Sequence, residues 1–491
     1  MSDDRSTTSP SANDGGSPPG GTTQVCCPGD FVLEAPCRIV KAGGGRIQLS
    51  ATELPSFSAG TYAWTTPSTK IRLTNANTAT VTVEGLANPS ASRDAETITV
   101  TRTANGCSPI TKTVKVTVAK VTFSAAASQR FGYDNFDTPA NALDDHVCIK
   151  KSDHTFVGVV IDGGLVGTDF DFVCDTPDIC APVAPGGTAS FDLRLDAGAK
   201  NKDDTTLHAK CRCASATSFA NIQVHVYKEK EVEVVVAKIE DSASAGTGLH
   251  RPAMDAAAHT ATVNAKVKEA VVKFDITNFS ATNAVTDVRY DLDGNGALSY
   301  DINAAGGAEV TAIATAMTGT GTRTRIAIVK KLKSYYFLDT AVAIGATNLT
   351  VRGASVFRYD SFPNVALGLG PNKENVTVQS TSGNTITLAS GVTKAHAVGT
   401  PIEFIAAGWA SDPIILTEEN AANGSLLTQN QILWSIPHEA GHRVLTLADI
   451  EDQTNFMHHQ QTWTDYRLRY CPRRKRYSPP DTENQWDTIP R

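Results

Sequence analysis

Short runs in which apolar and polar residues alternate constrain this chain most, because they fix the period of its secondary structure. Between residues 31 and 119 they recur as "RIQLSA", "ATVTVEG", "ETITVTRT" and "KTVKVTVA", separated by Gly, Pro, Asn and Ser. A period of two places every second side chain on one face of a strand. Strands broken by turn residues at roughly every 8 to 12 positions are typical of a β-sandwich. The pattern predicts such a sandwich at residues 29–119.

The length of 491 residues predicts several domains, because single cores stop growing near roughly 250 to 300 residues. Residues 1–28 are rich in Ser, Thr, Gly and Pro and predict a disordered lead. Residues 120–235 predict a second β-rich domain. In residues 236–336 the segments "AHTATVNAKVKEAVVKFDIT" and "GGAEVTAIATAMTG" predict helices, and "TRIAIVKKL" predicts a strand. Residues 337–406 predict a small inserted β-domain with Gly-Asn turns, and residues 407–491 complete the domain that it interrupts.

Charge and hydropathy exclude two classes of function. The 44 basic and 51 acidic residues give a net charge of −7, so we expect no nucleic-acid partner. The basic tail "TDYRLRYCPRRKRYSPP" is expected to pack over the last domain with its arginines in water. No run of apolar residues approaches the 18 or so that a membrane-spanning helix needs, so we expect no membrane-spanning segment.

The positions of the cysteines indicate that the protein functions in an oxidising compartment, where disulfides can form. Nine of the ten precede residue 214, which predicts disulfides in the N-terminal half, with Cys37–Cys107 and Cys174–Cys180 as the preferred pairs. The first 24 residues contain no apolar stretch of the kind that an export signal carries. Together these features predict a bacterial protein that is cytoplasmic before export and is then secreted or injected by a route that reads no signal peptide.

The segment "HEAGHRVLTLADIEDQTNFMHH", residues 438–459, concentrates four of the eleven histidines and one of the four methionines. His438 and His442 are four positions apart, so on a helix both imidazoles project from one face and can share one ion. In such an HExxH arrangement the histidines are neutral nitrogen ligands of Zn²⁺. Glu439 lies between them in sequence, where a carboxylate can accept the proton of a water molecule at the ion. The alternative is an ordinary polar pair on a surface helix.

The same segment resembles the metzincin zinc metallopeptidases, in which HExxH is followed by a glycine turn, a third ligand and a methionine turn beneath the metal. Met457, at the end of "TNFM", matches the methionine turn. Counting back from it, the resemblance assigns the third zinc ligand to Asp449, with Asp452 and His458 as competitors. Two features depart from the family: "RVLTLAD" contains no glycine, and the interval from His442 to Asp449 is one residue longer than usual.

A second metal site is suggested by "DLDGNGALSYD", residues 291–301. Asp291, Asp293 and Asn295 at alternate positions, with Gly296 at the turn, resemble the start of an EF-hand calcium loop. Asp301 is a further candidate ligand one place before the twelfth position of such a loop, which Ile302 occupies. The alternative is a glycine-rich hairpin whose acidic groups are solvated. We expect any bound Ca²⁺ to have a structural role.

Two further resemblances concern the β-modules. Trp64 in "GTYAWTT" and the hairpin "RTANGCSP" resemble bacterial immunoglobulin-like modules, and the insertion at 337–406 resembles small β-modules of phage tail fibres. The expected fold is therefore multidomain: β-sandwich modules followed by an α+β metallopeptidase domain that a small β insertion interrupts. The expected function is a zinc endopeptidase acting on proteins or peptides. The expected role is that of a type VI-like effector carried by a secretion-machine spike protein; the alternative is a non-catalytic adhesin or spike-associated structural protein with a structural metal site.

Overall fold

The computed structural model describes most of the chain. The described residues are 31–53, 60–104, 107–134, 145–184, 186–241, 255, 257–280, 285–302, 306–352, 364–404, 408–409, 412–419, 425–447, 457, 473–474, 482–483, 486 and 489–490. The lead predicted at 1–28 lies outside them, as does most of the basic tail. No helix within these ranges has both the length and the apolar character that a membrane span needs.

The first part of the chain is a β-sandwich. Its strands are β1 (Phe31–Glu34), β2 (Ile39–Lys41), β3 (Arg46–Glu53), β4 (Thr61–Thr65), β5 (Ile71–Thr74), β6 (Thr80–Gly85), β7 (Glu96–Thr103) and β8 (Ile110–Ala125). One sheet has the order β1-β3-β6-β5, and β4, β7 and β8 pair in the other. Val81 and Val83 on β6 and Ile98 and Val100 on β7 are fully buried at alternate positions. Trp64 is also buried, as predicted, and its indole Nε1 donates to the Thr78 carbonyl at 2.8 Å. The predicted sandwich is confirmed.

The second β-rich unit continues directly from the first. Its strands are β9 (Tyr133–Asp134), β10 (His146–Lys150), β11 (His154–Asp162), β12 (Phe170–Cys174), β13 (Cys180–Pro182), β14 (Ser190–Ala197), β15 (Asp203–Cys211) and β16 (Ala214–Tyr227). Strand β8 pairs with β7 through residues 110–116 and with β11 through residues 120–125. One sheet therefore runs unbroken from the first sandwich into the second unit.

Two disulfides are found among the described residues of these units. Cys174–Cys180 forms as predicted, across a short loop. The predicted Cys37–Cys107 pair is wrong, because Cys37 bonds to Cys213, which is 176 residues away in sequence. Cys213 lies in the turn between β15 and β16, so this bond joins the first sandwich to the second unit. Sequence spacing cannot reveal such a pair, since only the folded arrangement brings the two sulfurs together.

Helices enter after residue 230. The elements are β17 (Lys230–Asp241), α1 (Thr260–Val267), β18 (Val272–Asn278), β19 (Val285–Val288), β20 (Leu298–Asp301), α2 (Gly307–Ala316), β21 (Thr324–Val329), β22 (Leu332–Phe337), β23 (Asn348–Thr350), β24 (Asn364–Leu367), β25 (Glu374–Ser382), β26 (Thr385–Leu388), β27 (Pro401–Phe404), β28 (Gly408–Trp409), β29 (Ile414–Thr417), α3 (Gln429–Val444), β30 (Arg473–Arg474) and β31 (Thr482–Glu483). The helix predicted over "AHTATVNAKVKEAVVKFDIT" covers only its first half. Its second half alternates β-branched and polar residues and forms β18.

A mixed sheet of order β18-β17-β21-β29-β28 positions the histidine segment. The pairs β17–β18, β17–β21 and β21–β29 are parallel, whereas the short edge strand β28 is antiparallel to β29. Helix α3 follows β29 in sequence and packs against β29, β21 and β28. Its buried residues share one hydrophobic core with those of the second β-unit. The histidine helix is therefore held on a rigid sheet.

A seven-stranded sheet carries the segment predicted as an insertion. Its order is β20-β22-β27-β24-β25-β26-β23, so residues 337–406 extend a sheet that begins with β20 and β22. Glu374 at the start of β25 is almost buried and accepts hydrogen bonds from the Thr393 hydroxyl at 2.6 Å and from the His396 ring at 2.7 Å. The backbone amides of Thr393 and Lys394 also donate to it. Glu374 thus fastens the 393–396 loop to the sheet.

Glu374 should make the stability of this sheet depend on pH. Burial alone would raise the pKa of the carboxyl, but the hydrogen bonds from Thr393, His396 and Lys394 outweigh burial and lower the pKa to about 2. Since the folded-state pKa lies below the unfolded one, the stabilisation is present above about pH 4.5 and is lost as the pH falls toward 2. We expect Glu374→Gln to cost about 1–3 kcal/mol at pH 7 and much less at pH 3.

The measurement is urea unfolding of the full chain at both pH values, followed by hydrogen exchange of residues 374–388. Glu231→Gln is the control, because the Glu231 side chain is 62% exposed. An equal loss of stability at pH 7 and pH 3 in Glu374→Gln would show that shape, rather than the carboxylate charge, matters at this position.

Candidate metal centre

Helix α3 begins well before the histidines. Thr428 caps it: the Thr428 hydroxyl accepts from the Gln431 amide at 3.3 Å, and the Gln431 side chain accepts from the Thr428 amide at 2.8 Å. This reciprocal pair is a capping box. The helix does not begin at Pro437, which directly precedes His438, because Pro437 lies inside it. Proline lacks an N–H, so the bond from residue 437 to the carbonyl of Leu433 cannot form.

The two histidines occupy one face of α3. Their ring centroids are 4.8 Å apart and the rings are nearly perpendicular, at 89°. His438 is 5% exposed, and His442 is half-buried. Glu439, also half-buried, follows His438 on the same turn. The structure thus brings together the two histidines that the sequence assigns to metal binding, with Glu439 on the same helical turn as His438.

The orientation of His442 is set by a backbone carbonyl. Its Nδ1 lies 2.7 Å from the oxygen of Leu447. Because a carbonyl oxygen can only accept, Nδ1 carries a proton, and in the neutral ring the lone pair is then on Nε2. Metal-binding histidines characteristically donate their other ring N–H to a carbonyl or carboxylate, which fixes both tautomer and ring direction. The bond to Leu447 thus selects the neutral tautomer that suits a zinc ligand.

The chain leaves α3 through a left-handed turn at Thr446, whose φ is +57°. The amides of Leu445 and Leu447 both donate to the carbonyl of Gly441, at 3.2 and 3.1 Å. Glycine is the usual residue in this conformation, and it is the residue missing from "RVLTLAD". Thr446 takes up the conformation instead, and this reversal is what brings the Leu447 carbonyl back to His442.

Met457 is fully buried. It belongs to the same large hydrophobic core as Ile436, Ala440, Leu445 and Leu447 of the histidine segment. Asp449, Asp452 and His458 lie outside the described residues, so the choice of third ligand stays a prediction.

An arginine–carboxylate cluster fixes α3 to the sheet. Asp412, just before β29, pairs with Arg443 of α3 at 3.2 Å and with Arg325 of β21 at 2.9 Å. Arg443 directly follows His442, so this cluster limits rotation of the helix about its axis. No sequence motif identifies Asp412, because its partners are 31 and 87 residues away.

Some of the side chains predicted to bind calcium lie close together in the structure. Ligand-type oxygens of Asp291, Asp293 and Glu309 all lie within 4.8 Å of one another. Asp301 is not in this group; it lies at the end of β20, bridged to Gly306, and its assignment as a ligand stays a prediction. Asn295 instead donates its side-chain N–H to Asp293 at 2.7 Å.

Glu309 is the residue that the sequence analysis missed. It lies on α2, is 5% exposed, and accepts from the amides of Leu292 and Asp293 at 2.9 and 3.3 Å. Burial, together with the charge of Asp293, raises the pKa of its carboxyl. A lone glutamate in "GGAEVTA" carries no sequence signal for this role, since only the packing of α2 beside β20 brings it to the loop.

The solved structures to which this chain is similar contain β-sandwich modules. No protein-family model and no curated protein matches the chain. Among solved structures, the chain is similar to the insect immune protein hemolin at 10% identity, covering 43% of this chain and 49% of hemolin, with a TM-score of 0.18. It therefore spans about half of hemolin's length.

Two further solved structures are of the same kind. Fibronectin(III)-like modules of CbhA from Clostridium thermocellum are 13% identical over 40% of this chain and 93% of that one, with a TM-score of 0.21. Invasin, a bacterial integrin-binding protein, is 12% identical over 41% of this chain and 38% of that one, with a TM-score of 0.24. These neighbours consist of immunoglobulin-like or fibronectin-like β-sandwich modules, and scores this low carry no information on activity.

Proposed function

We propose that this chain is a zinc-dependent endopeptidase of the metzincin type, with its catalytic centre on α3. The observation that carries the proposal is the orientation of His442: its Nδ1 donates to Leu447, and its ring lies 4.8 Å from that of His438, one helical turn away. A polar surface pair has no need of this fixed tautomer. The burial of His438 and of Met457 also favours a built site over a surface pair.

Each residue then has a separate role. Nitrogen atoms of His438 and His442, with a carboxylate oxygen of Asp449, would hold the ion. Zinc held there would supply a Lewis acid that polarises a peptide carbonyl and lowers the pKa of water. Glu439 would act as the general base that takes a proton from the attacking water and passes it on to the leaving amine. The carbonyl of Leu447 and the pair Asp412–Arg443 hold the helix and the His442 ring in place.

The substrate class follows from the neighbouring sheet edge. Strand β28 is the edge strand beside β29, and α3 packs against it. An extended peptide can add to such an edge through main-chain hydrogen bonds, which recognise a backbone largely without regard to sequence. This supports a protein or peptide substrate bound in extended form.

We also propose that the protein acts outside the cell that makes it, as a secreted or injected bacterial effector that is bound to a spike protein during export. The support is the series of β-modules ahead of α3 and the resemblance of residues 337–406 to tail-fibre modules. The rival function is a non-catalytic adhesin or structural protein whose zinc, if bound, is structural.

Cleavage of an unfolded protein separates the two functions. The full chain, loaded with one equivalent of zinc, should hydrolyse casein, lose this activity with a chelator and regain it when zinc is added back. A structural zinc site has four protein ligands and leaves no position for water. Stoichiometric zinc without any hydrolysis would therefore support the rival and overturn the proposal.

The third ligand can be assigned by substitution. Asp449→Ala is expected to lower zinc occupancy about as severely as loss of a histidine ligand, whereas Asp452→Ala and His458→Ala leave it largely intact. The left-handed turn at Thr446 lies three residues before Asp449, and a loop there absorbs the extra residue more easily than the interval between ligand and Met457. The measurement is zinc content after dialysis. If Asp452→Ala or His458→Ala loses zinc and Asp449→Ala does not, the third zinc ligand is the residue whose replacement removes the metal, and the assignment to Asp449 is wrong.

For the second metal, we propose that Asp291, Asp293 and Glu309 bind Ca²⁺ in a structural role. Ca²⁺ prefers several carboxylate oxygens, and a cation would offset the cost of burying Glu309 among acidic groups. Calcium should raise the melting temperature of the full chain, and Glu309→Gln should abolish this rise while Asp301→Asn retains it. If Glu309→Gln responds to calcium as the wild type does, Glu309 is not a ligand and the proposed set is wrong.

A further inference from the structure

Three cysteines meet where the first sandwich touches the second unit. Cys37, from the loop between β1 and β2, is bonded to Cys213 in the β15–β16 turn. Cys211, at the end of β15, lies with its Sγ 2.9 Å from Sγ of Cys213, and all three sulfurs fall within 4.8 Å of one another. A thiol is therefore in contact with a disulfide.

We propose that Cys37, Cys211 and Cys213 form a thiol–disulfide exchange site. The Cys211 thiolate attacks Sγ of Cys213, a Cys211–Cys213 bond forms, and the Cys37–Cys213 bond breaks with its electron pair passing to Cys37. The proton that leaves Cys211 is balanced by one that Cys37 takes up. The number of disulfides is unchanged, so the step needs neither an oxidant nor a reductant.

The surroundings assign different parts to the three sulfurs. Cys211 is 1% exposed, and burial raises the pKa of its thiol, an effect that the amides of Cys213 and Ala214 partly offset. The resting state thus has a protonated thiol at Cys211. The amide of Ile39 lies 3.5 Å from Sγ of Cys37 and donates to it, which favours a departing thiolate at that sulfur. Cys213 is exposed and is the sulfur that Cys211 contacts, so attack on Cys213 is favoured over attack on Cys37.

Exchange would change how the two units are joined. The Cys37–Cys213 bond is a covalent cross-link between them in addition to the continuous strand β8. After exchange, β8 remains, supported by the ion pair Arg93–Asp169 at 2.9 Å and by the bond from Lys41 Nζ to the Ser218 carbonyl at 2.9 Å. The covalent bond between the units is lost, and the new Cys211–Cys213 disulfide lies entirely within the β15–β16 turn.

Mass spectrometry can distinguish the two bonding patterns. Cleavage after acidic residues places Cys211 and Cys213 together on the fragment 205–229 and Cys37 on the fragment 35–53. The full chain is equilibrated in a glutathione redox buffer, its thiols are alkylated in denaturant, and the fragments are weighed. We expect two populations: linked fragments with the label on Cys211, and separate fragments with the label on Cys37 and an internal bond in 205–229. Cys174–Cys180 serves as the reference bond.

Two variants keep the test decisive. Cys37→Ser should form the Cys211–Cys213 bond, and Cys211→Ser should keep the Cys37–Cys213 bond with no label on Cys37. The proposal is overturned if Cys37 is never labelled in the wild type, or if Cys37→Ser leaves two alkylated thiols on fragment 205–229. Zinc held by all three thiols of the purified chain, with no disulfide among them, would overturn it as well.

Discussion

Replacing His442 by alanine is expected to remove both bound zinc and peptide hydrolysis. The substitution deletes the proposed nitrogen ligand, whose ring direction the Leu447 carbonyl fixes. Loss of a group that merely orients a ligand typically costs 10- to 100-fold in metal affinity, so we expect loss of the ligand itself to exceed about 100-fold. Zinc content is measured after dialysis against a weak chelator, and hydrolysis is followed with casein.

The matched control is His154→Ala. His154 lies in the second β-unit, where Arg130 and Asp153 contact it, so its loss should leave zinc and activity unchanged. Equal zinc content in wild type and His442→Ala would exclude His442 as a ligand, whatever the effect on activity.

Replacing Glu439 by glutamine should separate catalysis from metal binding. The amide nearly preserves the shape of the carboxylate but cannot accept a proton at neutral pH, and general-base catalysis typically contributes about 10²- to 10⁴-fold. We therefore expect the turnover of casein to fall by that factor while zinc content stays at the wild-type level. Near-normal turnover in Glu439→Gln would assign the base elsewhere, and loss of zinc would make Glu439 part of the metal site instead.

Local sequence patterns predicted the parts of the fold that depend on local rules. Alternation identified the buried faces of β6 and β7, because a strand places every second residue inward. The spacing of His438 and His442 predicted a shared helical face, because four residues are close to one turn. Cys174–Cys180 was also accessible from sequence, since six residues of separation leave few other partners within reach.

The remaining features depend on packing between distant segments. The run "NIQVHVYKEKEVEVVVAKI" contains no Gly or Pro to mark a turn, yet it divides into β16 and β17, which belong to different sheets. Alternation reports which face is buried but not which strand is the neighbour. Glu309 and the Cys37–Cys213 bond likewise required the positions of whole elements. Thr446 in a left-handed conformation violates the glycine preference that the sequence reasoning relied on.

The most direct test of the zinc centre on α3 is the X-ray absorption spectrum at the zinc edge of the full chain with one equivalent of zinc. Besides the two histidines of α3, the described residues contain two groups that could hold a metal ion: the carboxylates around Glu309 and the sulfurs around Cys213. We predict histidine nitrogens at about 2.0–2.1 Å with oxygen in the remaining positions and no sulfur, and loss of this signal in His442→Ala. Sulfur scattering at about 2.3 Å, or a spectrum that His442→Ala leaves unchanged, would contradict a zinc centre on α3.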